Sequence, residues 1–183
     1  MKLLSLKEIK YQLDDLIKIE SNLHKVFGDN YDVDFWDLDN FLLDLPLKQE
    51  LTKIIIIEDR IIGFSVAYMF KNGWAHISRV GLEPNWQGTG MGTKLLQYQL
   101  EDFKKYNIDI CTIDYKKRNF KIGKLYKKLG FKEFKFEALK KYVLIRERKY
   151  KEYLTENSEY NALYKNISEQ MNNNELVQYY FYV

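Results

Sequence analysis

Apolar positions recur along this chain with two periods, and the changeover between them marks its elements. From about Lys7 to Phe27, the residues Ile9, Leu13, Leu16, Ile17, Leu23 and Phe27 fall near helical spacing, and Gly28 offers a stop. A second amphipathic segment, residues 35–45, is closed off by Pro46. The pattern then turns β-branched. Lys53–Ile57 and residues 61–70 read as strands joined at Glu58-Asp59-Arg60, and Trp74–Leu82 follows Lys71-Asn72-Gly73, whose Asn-Gly is a strong hairpin signal. A glycine-rich turn comes next, then a helix with Leu95, Leu96, Leu100 and Phe103 on one side, ending near Tyr106-Asn107. Residues 108–115, IDICTIDY, read as a strand parallel to its predecessor, because a helix crosses between them. In the helix beginning at Asn119, Ile122, Leu125, Tyr126 and Leu129 share a face, and Gly130 suits a left-handed cap. Residues 131–136 and 141–145 read as a closing hairpin. A meander followed by strand, loop, helix and strand is an α/β (α+β) order, not a doubly wound nucleotide fold.

The turn carries three alternate glycines. Gly88, Gly90 and Gly92 lack a Cβ, so successive N–H groups can converge on an anion at the positive end of the following helix. Spacing alone leaves two readings open, a phosphate loop or a tight corner. Two familiar phosphate loops are excluded. A Walker loop needs Lys directly after its last glycine, and here Thr93 precedes Lys94; the Rossmann fingerprint needs glycine where Thr93 stands.

The run Gln87-Gly88-Thr89-Gly90-Met91-Gly92 matches Q/R-x-x-G-x-G/A, the acyl-CoA pyrophosphate loop of the GCN5-related N-acetyltransferase (GNAT) family, and Leu82-Glu83-Pro84 resembles that family's V-x-P strand end. Downstream, residues 119–131 resemble its N-x-x-A-x-x-L-Y-x-K-x-G-F segment in register from Asn119 to Phe131, with Ile122 departing from the usual small residue. By these two motifs, in this order, the chain is identified as a member of the GNAT family. The resemblance implies a mixed, mostly antiparallel central sheet of six to seven strands, flanked by helices and splayed between the fourth and fifth strands. It implies acetyl-CoA as co-substrate. Main-chain groups of Val80, Gly81 and Leu82 would meet the thioester and pantetheine, with Gln87, Gly88, Thr89, Gly90, Met91, Gly92 and Thr93 around the pyrophosphate. Asn119 would bond the cofactor arm, although a plain N-cap explains it equally well. Tyr126 aligns with the tyrosine that protonates the departing thiolate; a tyrosine packed in the core is the alternative. His76 stands where some relatives place a base, eleven positions before Gln87, and its unperturbed pKa of about 6.5 suits amine deprotonation. A hydrogen-bonded structural histidine, with ordered water as base, is the competing reading. Glu83 is worse placed. Lys94, Lys121 and Lys124 are either 3′-phosphate partners or solvated. Tyr31, Phe35, Trp36, Asp32, Asp34 and Asp37 fall beside the acceptor in the same comparison, or form an acidic face with aromatics behind it.

Composition narrows the setting. With 183 residues, 46% hydrophobic and 30% charged, the chain builds a globular domain, placed at residues 1–147. Beyond Glu147 the composition shifts to Tyr, Asn, Lys and Glu, and residues 148–183 read as a helical extension anchored by Tyr153, Leu154, Leu163, Tyr164 and Ile167. Covering the cleft, forming a homodimer surface and packing behind the sheet are all open to it. A net charge of +3 with interspersed signs offers no nucleic-acid face. Cys111, the single cysteine, excludes an internal disulfide and reads as a buried, inert thiol. No segment reads as a secretory leader or membrane span, so a cytoplasmic protein without a membrane partner is expected. His24 and His76 lack ligand spacing, so no metal is expected. The expectation is an N-acetyltransferase moving an acetyl group from acetyl-CoA to a primary amine of a small molecule by direct attack in a ternary complex. A protein N-terminal or lysine acetyltransferase and a non-catalytic acyl-CoA-binding module are the alternatives.

Overall fold

Four consecutive isoleucines, Ile54 to Ile57, mark a strand covered on both faces, because β-branched side chains suit such a strand. In the computed structural model, which describes residues 1–9, 13–27, 35–71, 73–117, 119–133 and 176–182, that run belongs to β2 (Lys53–Ile57). β1 (Lys2–Ser5) and β3 (Arg60–Lys71) flank it, both antiparallel, with Lys2 opposite Ile56 and Ile54 opposite Phe64. β4 (Trp74–Leu82) continues the order β1-β2-β3-β4. The chain divides into two compact units, one of residues 1–69 and 77–107, the other of residues 70–76 and 108–183.

In the first unit, alternation along β2 sends Ile54 and Ile56 to one face and Ile55 to the other. The first face packs on α1 (Leu13–Phe27) through Leu16, Ile19 and Leu23, with Phe41 and Phe64 edge to face at 5.3 Å. On the second face, Ile55 and Ile62 meet Leu95 of α4 (Met91–Phe103), joined by Val80, Trp86 and Met91. Burying α4 brings polar groups inside, and they find partners. Ser65 Oγ donates to Gln99 Oε1 at 2.6 Å, and Gln99 Nε2 donates to the carbonyls of Leu51 and Ser65 at 2.8 and 3.0 Å. Lys53 pairs with Asp102, both buried. On the α1 side, Arg79 forms a two-pronged pair with Glu20, one prong Nε to Oε1 at 2.8 Å. Such paired charges tie α1 and α4 to particular strands, since leaving either partner alone in the interior is costly.

The second amphipathic segment is shorter than residues 35–45. α2 spans Leu38–Leu42, because Asp37 and Asn40 form a capping box and Leu43 leaves the helix at ψ 125°. A short α3 (Lys48–Leu51) follows Pro46. The first predicted helix begins with a 3₁₀ turn at Leu6–Ile9 before α1.

In the second unit, β5 (Ile110–Lys116) runs parallel to the start of β4, as the crossing helix requires. α5 (Phe120–Lys128) packs above β5, where Tyr115 seats over Gly123 so closely that an added Cβ would lie 2.7 Å from its Cζ. Gly130 follows at φ 94°, in the left-handed conformation expected of it. β6 (Lys132–Glu133) and β7 (Leu176–Tyr182) complete the order β5-β7-β6, both pairings antiparallel. β7 corrects the sequence reading for residues 176–182: this segment of the expected helical extension is a strand, with Phe181 opposite Cys111. Its run LVQYYFY is rich in β-branched and aromatic residues, which favours a pleated surface over a helix. The strand expected at residues 141–145 and the tail through residue 175 lie outside the described residues.

Candidate active site

The glycine turn resolves into distinct backbone roles. Gly88 and Gly90 take φ of 76° and 87°, a region L side chains rarely adopt, and Gly90 is the N-cap of α4. Gly92 lies inside α4, so its contribution is the missing Cβ and not a special φ. The first N–H groups of a helix have no intrahelical acceptor, and no side chain caps these. Lys94 N–H makes the first helical bond, to Gly90 O at 3.1 Å. A Cβ built at Gly88 or Gly90 would meet nothing within 4 Å. N–H donors without a side-chain cap, a positive helix end and open space at Gly88 and Gly90 fit an anion such as a pyrophosphate. Gln87, Gly88, Thr89 and Gly90 are exposed, and Met91, Gly92 and Thr93 are half-buried. The turn is tied back on itself: Thr89 Oγ1 donates to Trp86 O at 2.6 Å, and Gln87 Nε2 to Leu82 O at 3.2 Å. So Gln87 and Leu82 meet, and Val80, Trp86 and Met91 each pack against the Ile55, Ile62 and Leu95 cluster. Gly81 is buried because Phe64 occupies the place of a side chain. Of the residues considered for the acceptor side, Phe35 packs edge to face on His24 at 5.5 Å, and Trp36 lies under the Arg79 guanidinium at 5.9 Å. Asp37 is engaged as the α2 cap, and Tyr31, Asp32 and Asp34 lie outside the described residues. Glu83 lies 3.8 Å from Arg60. Lys94, Lys121 and Lys124 are exposed.

In the second unit, Tyr126 is buried between aromatics, edge to face with Tyr115 at 5.8 Å and tilted against Phe131 at 5.7 Å. Burial pushes its phenol well above the ordinary tyrosine range, and the Asp114 charge, Cys111 and Tyr115 push the same way. The phenol therefore stays protonated at neutral pH. Asn119 caps α5, its side chain accepting from Ile122 N–H at 3.4 Å. His76 is 2% exposed, with Nδ1 at 2.9 Å from Thr112 Oγ1 and Nε2 at 3.7 Å from Asp114 Oδ2. Asp114 and Thr112 were not among the candidates. The signal was present, since Thr112 and Asp114 alternate along IDICTIDY and so share the β5 face that meets the start of β4.

The profile of the acetyltransferase (GNAT) domain matches residues 50–133, a segment enclosing the glycine turn, Asn119 and Tyr126. The chain carries a GNAT acetyltransferase domain. It is an acyltransferase by that domain. Solved structures share the GNAT fold. The PaiA N-acetyltransferase of Thermoplasma acidophilum, solved with coenzyme A, is 18% identical with a TM-score of 0.59, over 73% of this chain and 92% of its own. A ribosomal-protein-alanine N-acetyltransferase of Brucella melitensis is 17% identical with a TM-score of 0.57, over 74% and 86%. An acetyltransferase of Streptococcus agalactiae is 13% identical with a TM-score of 0.59, over 74% and 85%. No curated protein matches the chain by sequence. Among the described residues of the GNAT domain and beyond it, no helix is long and apolar enough to cross a membrane.

Proposed function

We propose that the protein is an acetyl-CoA-dependent N-acetyltransferase acting on a primary amine of a small molecule. The supporting observation is the glycine turn within the matched domain, where left-handed Gly90 opens α4 with no side-chain cap on its N–H groups. The pyrophosphate takes those donors, with Gln87 through Thr93 around it and main-chain groups of Val80, Gly81 and Leu82 along the pantetheine and thioester. The neutral amine nitrogen attacks the thioester carbonyl carbon, and the Val80 N–H stabilises the oxyanion. As the C–S bond breaks, the electron pair leaves on sulfur and the Tyr126 phenol supplies its proton. The proton lost by the nitrogen passes to His76. Asn119 steadies the cofactor arm while capping α5.

A protein N-terminus or lysine is the second reading, supported by the name of the Brucella fold relative. The deciding experiment offers acetyl-CoA with a panel of small amines and of peptides bearing free N-termini or lysines, following CoA release. Small amines turning over, and peptides not, is expected. Turnover confined to peptides replaces the first reading with the second. Acetyl-CoA binding without CoA release from any acceptor overturns both, leaving a non-catalytic acyl-CoA-binding module. A pH–rate profile unchanged in His76→Ala removes the histidine as base.

A further inference from the structure

Two of the hydrogen bonds that Thr112 makes have linked directions. Its hydroxyl donates to the Ala75 carbonyl at 3.2 Å, and a hydroxyl has a single proton to give. Towards His76 Nδ1, at 2.9 Å, the same oxygen therefore acts as acceptor, so Nδ1 must carry a hydrogen. The second ring nitrogen, Nε2, faces the carboxylate of Asp114 at 3.7 Å. With a hydrogen already on Nδ1, a proton gained at Nε2 makes the imidazolium, the form that the neighbouring carboxylate favours.

We propose that Thr112 is a positioning residue for His76: it fixes one proton on Nδ1 and leaves Nε2, beside Asp114, as the nitrogen that gains and loses a proton. The imidazole is locked by its neighbours, as a buried ring on a strand must be if one nitrogen is to exchange and the other is not. Asp114, 15% exposed at its side chain, lies on the exchanging side; Ala75 and Thr112 lie on the locked side. Any role for this arrangement in acetyl transfer rests on the reading of His76 as base. The tautomer itself does not.

The chain has two histidines, so imidazole ¹⁵N spectra of the full protein are simple to assign with a His76→Gln variant. In the wild type, His76 Nδ1 is expected to stay protonated throughout a pH titration while Nε2 alone changes. In Thr112→Val, a near-isosteric change, the neutral-state proton should move to Nε2, where it can bond Asp114. Thr112→Ser should restore Nδ1–H. Turnover should fall about tenfold or more in Thr112→Val with the KM for acetyl-CoA unchanged, and recover in Thr112→Ser. A wild-type ring with its neutral proton on Nε2, or a tautomer unmoved by Thr112→Val, overturns the inference. Undiminished turnover in Thr112→Val overturns the positioning role. Wild-type turnover in His76→Gln, with the tautomer as expected, instead removes the base reading.

Discussion

At the scale of single residues, burial moves two ionisable groups in opposite directions, Tyr126 upward and Lys48 downward. In the proposed function Tyr126 donates a proton, and burial keeps the phenol protonated at neutral pH. Tyr126→Phe should retain acetyl-CoA affinity while turnover falls at least about tenfold, a modest share of what a positioned acid supplies. Steady-state kinetics alongside calorimetry separate the two, and wild-type turnover would remove the phenol from the mechanism. Lys48 shows the same interior acting on a base. It is buried, and desolvation brings its pKa down to about 8, with Asp44 pulling weakly the other way. Its Nζ donates to the carbonyls of Asn40 and Leu43 at 2.6 and 3.0 Å, closing the end of α2. Between pH 8 and the unfolded value near 10.5 the unfolded chain holds a proton that the folded one has lost, so stability from this group rises with pH across that window. The stability difference between wild type and Lys48→Met should therefore shift in favour of the wild type by about 3 kcal/mol from pH 8 to 10.5. Denaturant midpoints at the two pH values measure it, and an unchanged difference refutes the buried-ammonium account.

At the scale of elements, α5 depends on a residue it does not contain. Glycine in a helix interior normally costs about 1 kcal/mol relative to alanine, so Gly123→Ala would be stabilising in isolation. Here the new Cβ would lie 2.7 and 2.8 Å from Cζ and Cε2 of Tyr115. Overpacking of that kind costs about 1–3 kcal/mol, enough to reverse the sign. Gly123→Ala should lower the melting temperature by a few degrees, and a rise would show that Tyr115 moves aside freely. Elements whose cause is local were legible in the sequence: the β2–β3 hairpin, the turn at left-handed Gly73 before β4, the other left-handed glycines and the α5 cap at Asn119 follow from turn and cap chemistry a few residues long. β1 was not, because four residues at an edge acquire their meaning only from pairing with β2. β7 was missed for the same reason at greater range, since its partner β5 lies far earlier in the chain. The His76, Thr112 and Asp114 grouping likewise exists only once β4 and β5 are neighbours.

At the scale of the whole molecule, motif order conveyed what local pattern could not. Two short segments, Gln87–Gly92 and Asn119–Phe131, indicated the family, and the domain match over residues 50–133 covers both. Residue character alone left the acceptor unassigned, because a substrate is chosen by side chains that several separate elements bring to one place. The cofactor is more tractable. A ligand that binds only the folded protein stabilises it by mass action, about 2.7 kcal/mol at a hundredfold excess over its dissociation constant. For a chain of this length that corresponds to a melting-temperature rise of about 5–10 °C. Acetyl-CoA and CoA should both produce it, because in the proposed function the pyrophosphate and not the acetyl group engages the amides at the start of α4. Gly90→Val should abolish most of the rise, since its Cβ needs a φ that valine resists at 87°. Scanning fluorimetry of both proteins against a ligand series tests this directly. A rise with acetyl-CoA but none with CoA would shift the main contact to the acyl end, and no rise with either would leave the glycine turn as a corner with no anion to hold.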